Sequence, residues 1–257
     1  MIQFFLILHL IGDFYLQFAK IAHCKVGLLD DTCVNCTRCK DEKLVNFKFL
    51  LLHVLLYGVP FAMIFHFAKW YYAIAIIIFL VLTHFAVDFI TCLLKKYKKI
   101  PSSVIFVVDQ ALHIVSLFGA YHLFNYCIST NNFVTNNIKI VNIILFILIL
   151  ITPSMQFIKC VLNDFFEEEN INENKGNKIK NKFDSGKLIG VIERLLVLVF
   201  FYLEAYPTIA IIITLKTWAR SNEIKEKPGF GNKYLVGTLL SFLIAAICGI
   251  GILKLVK

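Results

Sequence analysis

The chain has 257 residues, 59% of them hydrophobic and only 17% charged; a soluble domain is nearer 45–50% apolar and about 25% charged. The excess falls in long runs separated by basic or Asn-rich stretches, which excludes an ordinary cytosolic enzyme, a secreted disulfide scaffold and a disordered chain. Against 17 Asp+Glu there are 26 Lys+Arg, a net +9. The basic residues lie almost entirely between apolar runs, where they set topology and meet anionic membrane lipid. No basic stripe carries interleaved aromatics, so nucleic acid is not an expected partner.

The expected fold is all-α, a polytopic transmembrane helical bundle. A bilayer core of about 30 Å takes roughly 20 helical residues, and about eight spans fit, near 2–18, 47–65, 70–94, 103–124, 139–158, 188–204, 207–219 and 234–253. The first run lacks a basic leader and a small-residue cleavage site, so it reads as a retained span. Pro101 with Ser102 and Ser103 opens the fourth span, and Pro207 opens the seventh. That seventh span is short, and tilt, re-entry or snorkelling of Lys216 and Arg220 would accommodate it.

Lys and Arg alternate in successive connections: six in 19–48, one in 66–70, four in 95–100, none in 125–138, six in 159–187, none in 203–207 and five in 216–233. The positive-inside rule then predicts a multi-pass protein of the cytoplasmic (inner) membrane with both termini outside and the basic loops cytoplasmic. Three parts are expected. Residues 1–158 form a five-span membrane domain with a Cys-rich cytoplasmic loop at 19–46. Residues 159–187 form a flexible linker containing EEENINENKGNKIKNK, and 188–257 form a three-span C-terminal part.

Ionisable groups inside spans are costly and are functional candidates by default. Asp13, Asp88, Asp109 and Glu193 lie there, with His9, His53, His84 and His113. His9 and Asp13 are spaced i,i+4, as are His84 and Asp88, and Asp109 and His113, so each pair shares a helix face. The order reverses in span four, where the helix direction reverses. At about 1.5 Å per residue, Asp13, His53, Asp88 and Asp109 fall roughly 8–10 Å below the cytoplasmic span ends, and His9, His84 and His113 roughly 13–16 Å. The expectation is an Asp layer beside a His layer.

Three clustered carboxylates need a counter-charge. One or two divalent cations supply it, and mixed imidazole and carboxylate donors suit Zn, Mn or Fe. His9, Asp13, His84, Asp88, Asp109 and His113 are the candidate metal ligands. His53 is a ligand or general base. A proton relay and a structural His–Asp network are the alternatives.

Cys24, Cys33, Cys36 and Cys39 form HC-x8-C-x2-C-x2-C in the first basic loop, a candidate second, structural zinc site or a set of free thiols. Cys92, Cys127, Cys160 and Cys248 read as small apolar fillers. Glu193 is a candidate base and Arg194 a candidate anion-binding residue, unless they form a salt bridge to another span. Tyr234, Gly237, Thr238 and Ser241 open the last span, where small residues signal close helix packing. His23, His66 and His122 read as inert boundary or loop residues.

HLIGDFYLQ (9–17), LLHVLLY (51–57), THFAVD (83–88) and DQALH (109–113) together resemble an uncharacterised bacterial membrane family, domain of unknown function 3307. GKLIGVIERLLVL (186–198), TWAR (217–220) and KYLVGTLLS (233–241) are similar to the C-terminal part of its longer members. The resemblance implies that His9, Asp13, Gln17, His53, His84, Asp88, Asp109, Gln110, His113, Glu193 and Arg194 occupy the family's motif positions. Gln17 and Gln110 then join Arg194 as candidate anion-binding or supporting residues. The His-x3-Asp pattern is also similar to families predicted to be membrane-bound metal-dependent hydrolases.

The expected function is a metal-dependent hydrolase of a lipid or lipid-linked phosphate ester, with metal-bound water as nucleophile. An ion, proton or metal transporter using the same residues, and a non-catalytic membrane scaffold, remain alternatives.

Overall fold

The structure, a computed structural model, describes residues 1–17, 47–95, 100–124, 134, 136–166, 185–226 and 229–256. The described residues are helical without strands. In chain order the helices are α1 (Ile2–Leu10), α2 (Phe47–Gly58), α3 (Trp70–Leu94), α4 (Ser102–Phe124), α5 (Ile138–Phe165), α6 (Ser185–Tyr202), α7 (Tyr206–Ala219), α8 (Ser221–Glu226) and α9 (Phe230–Val256). The Cys-rich loop, with all four of its cysteines, and the stretch 167–184 lie outside the described residues.

Among the described residues, five helical segments are long and apolar enough to cross a bilayer: Phe47–His66, Trp70–Leu94, Ser102–Phe124, Ile138–Phe165 and Phe230–Leu255. The chain is therefore a helical membrane protein. Three of the eight expected spans fall short of that standard. Ile2–Tyr15 is a shorter apolar helix, and α7 has 14 residues, about 21 Å at 1.5 Å per residue. Helix α6 has 18 residues and the necessary length, but Lys187, Glu193 and Arg194 fall within it.

Two segments depart from the regular helices expected for the first spans. After α1 the chain continues as a π-helical turn over Ile11–Tyr15, closed by Leu16 N–H donating to Ile11 C=O at 3.0 Å. After α2 it tightens into a 3-10 helix over Pro60–His66. Pro60 has no N–H to continue the α ladder, and Ala62 N–H bonds to Val59 C=O at 3.1 Å, three residues back. The 3-10 rise of about 2.0 Å per residue lets this short segment span more depth than α-helix would.

The chain divides into two compact units, Met1–Leu145 and Phe146–Lys257. The division falls inside α5 rather than in the polar stretch at 159–187, which composition marks as the linker; α5 itself continues as helix to Phe165. Composition reports solvation, whereas the second unit is defined by packing. There Gly251 lies against the Phe146 ring and Gly237 against Leu162. Arg194 reaches back to the Leu150 carbonyl at 2.8 Å.

In the first unit each helix buries one narrow stripe. On α3 it runs Ala73, Ile76, Leu80, His84, Asp88 and Thr91, and on α4 Ile105, His113, Leu117 and Ala120. These are steps of three, four or a multiple of four residues, one side of an α-helix. The opposite faces carry exposed Ile74, Ile78 and Leu82 on α3 and Val104, Val107 and Val115 on α4, as a bilayer-facing surface requires. Trp70, Tyr71 and Tyr72 are exposed at the start of α3, where amphipathic rings suit the headgroup level. Both helices are thus apolar outside and polar at one internal level, the inverse of a soluble bundle.

Candidate metal centre in the first unit

Four segments deliver the polar stripe. His9 ends α1 and Asp13 follows on the π turn; His53 and Tyr57 lie one turn apart on α2. His84 and Asp88 come from α3, and Asp109, Gln110 and His113 from α4. The close approach of the first two segments is set at Gly12. A Cβ there would stand 2.9 Å from the Tyr57 carbonyl oxygen and 3.1 Å from Tyr57 Cα, so only glycine admits α2's backbone beside His9 and Asp13. Deep burial follows: His9, His53, His84, Asp88 and His113 are each at most 2% exposed.

Rather than two separate layers, the side chains interlock. His53 Nε2 lies 3.3 Å from Asp13 Oδ1, 3.3 Å from Asp88 Oδ2 and 3.1 Å from His84 Nε2. His84 Nε2 is 3.5 Å from Asp88 Oδ2 and 3.9 Å from Asp13 Oδ1. On the other side of the His84 ring, Nδ1 is 3.2 Å from His113 Nδ1. His113 Nε2 stands 3.8 Å from Asp88 Oδ1 and 3.7 Å from Asp109 Oδ1.

Hydrogen bonding alone does not account for this arrangement. A neutral imidazole nitrogen is either one donor or one acceptor, yet His53 Nε2 faces two carboxylate oxygens and another ring nitrogen. His53 Nδ1 and His113 Nε2 are buried with no hydrogen-bond partner among the described residues. The spacings instead match the edges of a metal coordination shell. With bonds of about 2.1 Å, donors around a tetrahedral ion are about 3.4 Å apart, and around an octahedral ion about 3.0 Å. Three groups of residues bring their donor atoms close enough together that they could hold an ion: Asp13, His53 and His84; His84, Asp88 and His113; and Asp13, Asp109 and His113. Each pair of groups shares a residue, so two adjacent ions would be bridged by the protein.

Around the donors lies a satisfied set of supporting bonds. Gln110 Nε2 donates to Asp13 Oδ2 at 3.0 Å and to Asp109 Oδ2 at 3.1 Å, turning the other oxygen of each carboxylate toward the histidines. Its Oε1 is 3.4 Å from His9 Nε2, while His9 Nδ1 is 3.3 Å from the Tyr57 hydroxyl. One tautomer satisfies both contacts: His9 Nε2–H donates to Gln110, and Tyr57 O–H donates to His9 Nδ1. His9, expected as a ligand, is in none of these three groups and contacts Gln110 and Tyr57. The Tyr57 ring stacks on His84 at 3.7 Å and 4° between planes, which fixes the imidazole between its two neighbours.

Asp109 is the most open member, with its side chain 19% exposed against 3% for Asp88. Gln17 is half-buried at the end of the described N-terminal segment. His66 and His122 are exposed, as boundary residues should be. Tyr57 and Gly12 were missed by sequence reasoning. Tyr57 carried a usable signal, because it follows His53 by the same four residues that separate His9 from Asp13.

Glu193 and Arg194 belong to the second unit. The Glu193 carboxylate pairs with the Lys216 ammonium of α7, so Lys216 reaches inward to a counter-charge rather than snorkelling. Arg194 points elsewhere, as adjacent positions on a helix must: its Nε donates to Leu150 C=O at 2.8 Å and its Nη2 to Ile151 C=O at 3.4 Å. Pro153 lies inside α5 at this level, and its missing N–H frees the carbonyl of Ile149, next to the two that Arg194 engages.

No curated protein and no solved structure matches the chain. The motifs at 186–198, 217–220 and 233–241 lie outside the family match, which covers residues 1–142, all four cluster segments included. Over more than half its length the chain thus matches the family described as protein of unknown function (DUF3307), and it belongs to that family.

Proposed function

We propose that the chain is a membrane-embedded, metal-dependent hydrolase of a lipid or lipid-linked phosphate ester. The observation carrying this reading is the set of donor separations, 3.1–3.9 Å among Asp13, His53, His84 and Asp88, in an apolar bundle with one carboxylate-rimmed side. A bound Zn, Mn or Fe ion would neutralise the carboxylates, lower the pKa of a water and polarise a phosphoryl oxygen. Asp13, His53, His84, Asp88 and His113 would hold the ion or ions. Asp109, at the open side, accepts the proton from the attacking water, and Gln110 keeps its carboxylate turned inward. The bilayer supplies a substrate whose headgroup enters beside Asp109. The basic loops face the cytoplasm and draw anionic lipid to that surface.

One observation favours a second reading, an ion or metal carrier. The π turn at Asp13 and the 3-10 segment after Pro60 interrupt two of the helices serving the cluster, and discontinuous helices mark transporter binding sites.

The test is elemental analysis by plasma mass spectrometry of detergent-purified protein, without chelator. Wild type is compared with Asp88→Ala and with a variant lacking Cys33, Cys36 and Cys39. Near-stoichiometric metal that disappears in Asp88→Ala and persists in the cysteine variant is expected, followed by Asp88-dependent release of phosphate from lipid phosphoesters. Metal without hydrolysis, but with metal flux into proteoliposomes, would transfer the site to the carrier reading. Absence of metal from wild type would refute both.

A further inference from the structure

We propose that the second unit carries an oxyanion site that takes a phosphate group, built from Arg194, Lys216, Thr238 and Ser241. These side chains, with Glu193, form the polar wall of a pocket whose remaining lining is apolar. The inference does not depend on a metal in the first unit.

Charge is the first argument. Glu193 and Lys216 neutralise each other, whereas Arg194 is 4% exposed and has no carboxylate in ion-pair contact among the described residues. A buried charge without a counter-charge is costly. Arg194 is anchored by Leu150 and Ile151 carbonyls, which fixes the guanidinium plane but does not neutralise it. Of its five N–H groups, the bonds to Leu150, Ile151 and Ser241 Oγ occupy three. The Ser241 contact, at 3.5 Å, is at the limit of a hydrogen bond. The pocket therefore has two cationic side chains against one carboxylate, an excess of one positive charge, and free guanidinium donors.

Thr238 supplies an independent observation. It is 8% exposed and lines the pocket, yet its Oγ1 is buried with no partner among the described residues. A helical threonine ordinarily turns its hydroxyl back onto its own helix. Thr83, Thr214 and Thr217 do so, each bonding the carbonyl four residues earlier at 2.8–2.9 Å. The Thr238 hydroxyl makes no such bond. One turn before it on α9, the Tyr234 hydroxyl is also buried without a partner. A guanidinium with the Thr238 and Ser241 hydroxyls in the same pocket suits a tetrahedral oxyanion with several acceptor oxygens. Its source is a lipid headgroup or free phosphate, and both offer the same chemistry to these donors.

The experiment uses the full chain in a neutral detergent. Radiolabelled inorganic phosphate is measured by equilibrium dialysis. Short-chain phosphatidic acid, with diacylglycerol of the same chain length as the phosphate-free control, is measured by native mass spectrometry. The variants are Asp88→Ala, which removes the first unit's cluster, and Thr238→Val with Ser241→Ala made in that Asp88→Ala chain. Expected are binding weakened about tenfold or more in the hydroxyl-deleted protein, an unchanged or higher melting midpoint there, and retained binding in Asp88→Ala. Saturable inorganic phosphate binding would identify a soluble ligand; binding of phosphatidic acid alone would identify a headgroup. The proposal is overturned if neither phosphate species binds above the diacylglycerol control. It is equally overturned if binding survives deletion of both hydroxyls, or is lost in Asp88→Ala.

Discussion

Gly12→Ala tests whether helix approach sets the metal centre. The new Cβ would meet Tyr57 O at 2.9 Å and Tyr57 Cα at 3.1 Å. Both are backbone atoms, so no rotamer change relieves the contact. Ordinary carbon contacts begin near 3.4 Å, and the two segments must separate by about 0.5 Å or more to restore them. Asp13 adjoins Gly12, and His53 lies one turn before Tyr57. The same opening carries the 3.3 Å Asp13–His53 separation toward about 3.8 Å, which lengthens a tetrahedral metal–donor bond by about 0.3 Å, beyond the roughly 0.2 Å by which such bonds vary. The expected result is an overpacking cost of about 1–3 kcal/mol, with metal affinity lower by tenfold or more. Denaturant unfolding in mixed micelles reads the first quantity, and competition with a chromogenic chelator reads the second. Unchanged unfolding and unchanged affinity together would refute the idea that Gly12 is held by this contact.

Gln110→Leu removes the amide that orients two carboxylates while keeping the helix; metal affinity should fall about 10–100-fold, as for other supporting residues of metal sites, measured by the same chelator competition. Tyr57→Phe should change affinity little, because the ring stacked on His84 remains, whereas Tyr57→Ala should cost about 3–5 kcal/mol of stability, measured by unfolding. Chelator added to wild type should lower the melting midpoint, since loss of a ligand held at 100 times its Kd removes about 2.7 kcal/mol; the midpoint of Asp88→Ala should not respond. In the second unit, Glu193→Gln should destabilise by leaving Lys216 without its counter-charge, and adding Lys216→Met should recover much of the loss; a double-mutant cycle of unfolding free energies would show no coupling if the pair were idle.

Buried polar residues bear unequal responsibilities in this molecule. In the first unit they cluster at spacings that could take a cation, and their neighbours Gln110 and His9 are hydrogen-bonded without one. In the second, Arg194 is satisfied geometrically by open carbonyls but not electrostatically. Both arrangements lie in apolar surroundings, where an unmatched charge cannot borrow solvation from water.

The sequence by itself determined that this chain is helical and membrane-embedded, because runs of about 20 apolar residues have few other stable outcomes. It also determined which ionisable side chains share a face, since i,i+4 spacing is a property of any α-helix, and His84 with Asp88 and Asp109 with His113 fall as that spacing requires. What it did not determine depends on where helices touch. The place of His9 beside the donors, the central position of His53 and the clamp by Gln110 follow from contacts between segments about 50 to 100 residues apart. No local periodicity encodes those distances. The π turn at Asp13 and the unit division inside α5 were likewise hidden, because both result from packing: Gly12 against Tyr57 in one unit, and Arg194 against the carbonyls before Pro153 in the other. Spacing along a helix is local geometry, whereas the depth and direction at which helices meet is decided only when their side chains compete for the same interior.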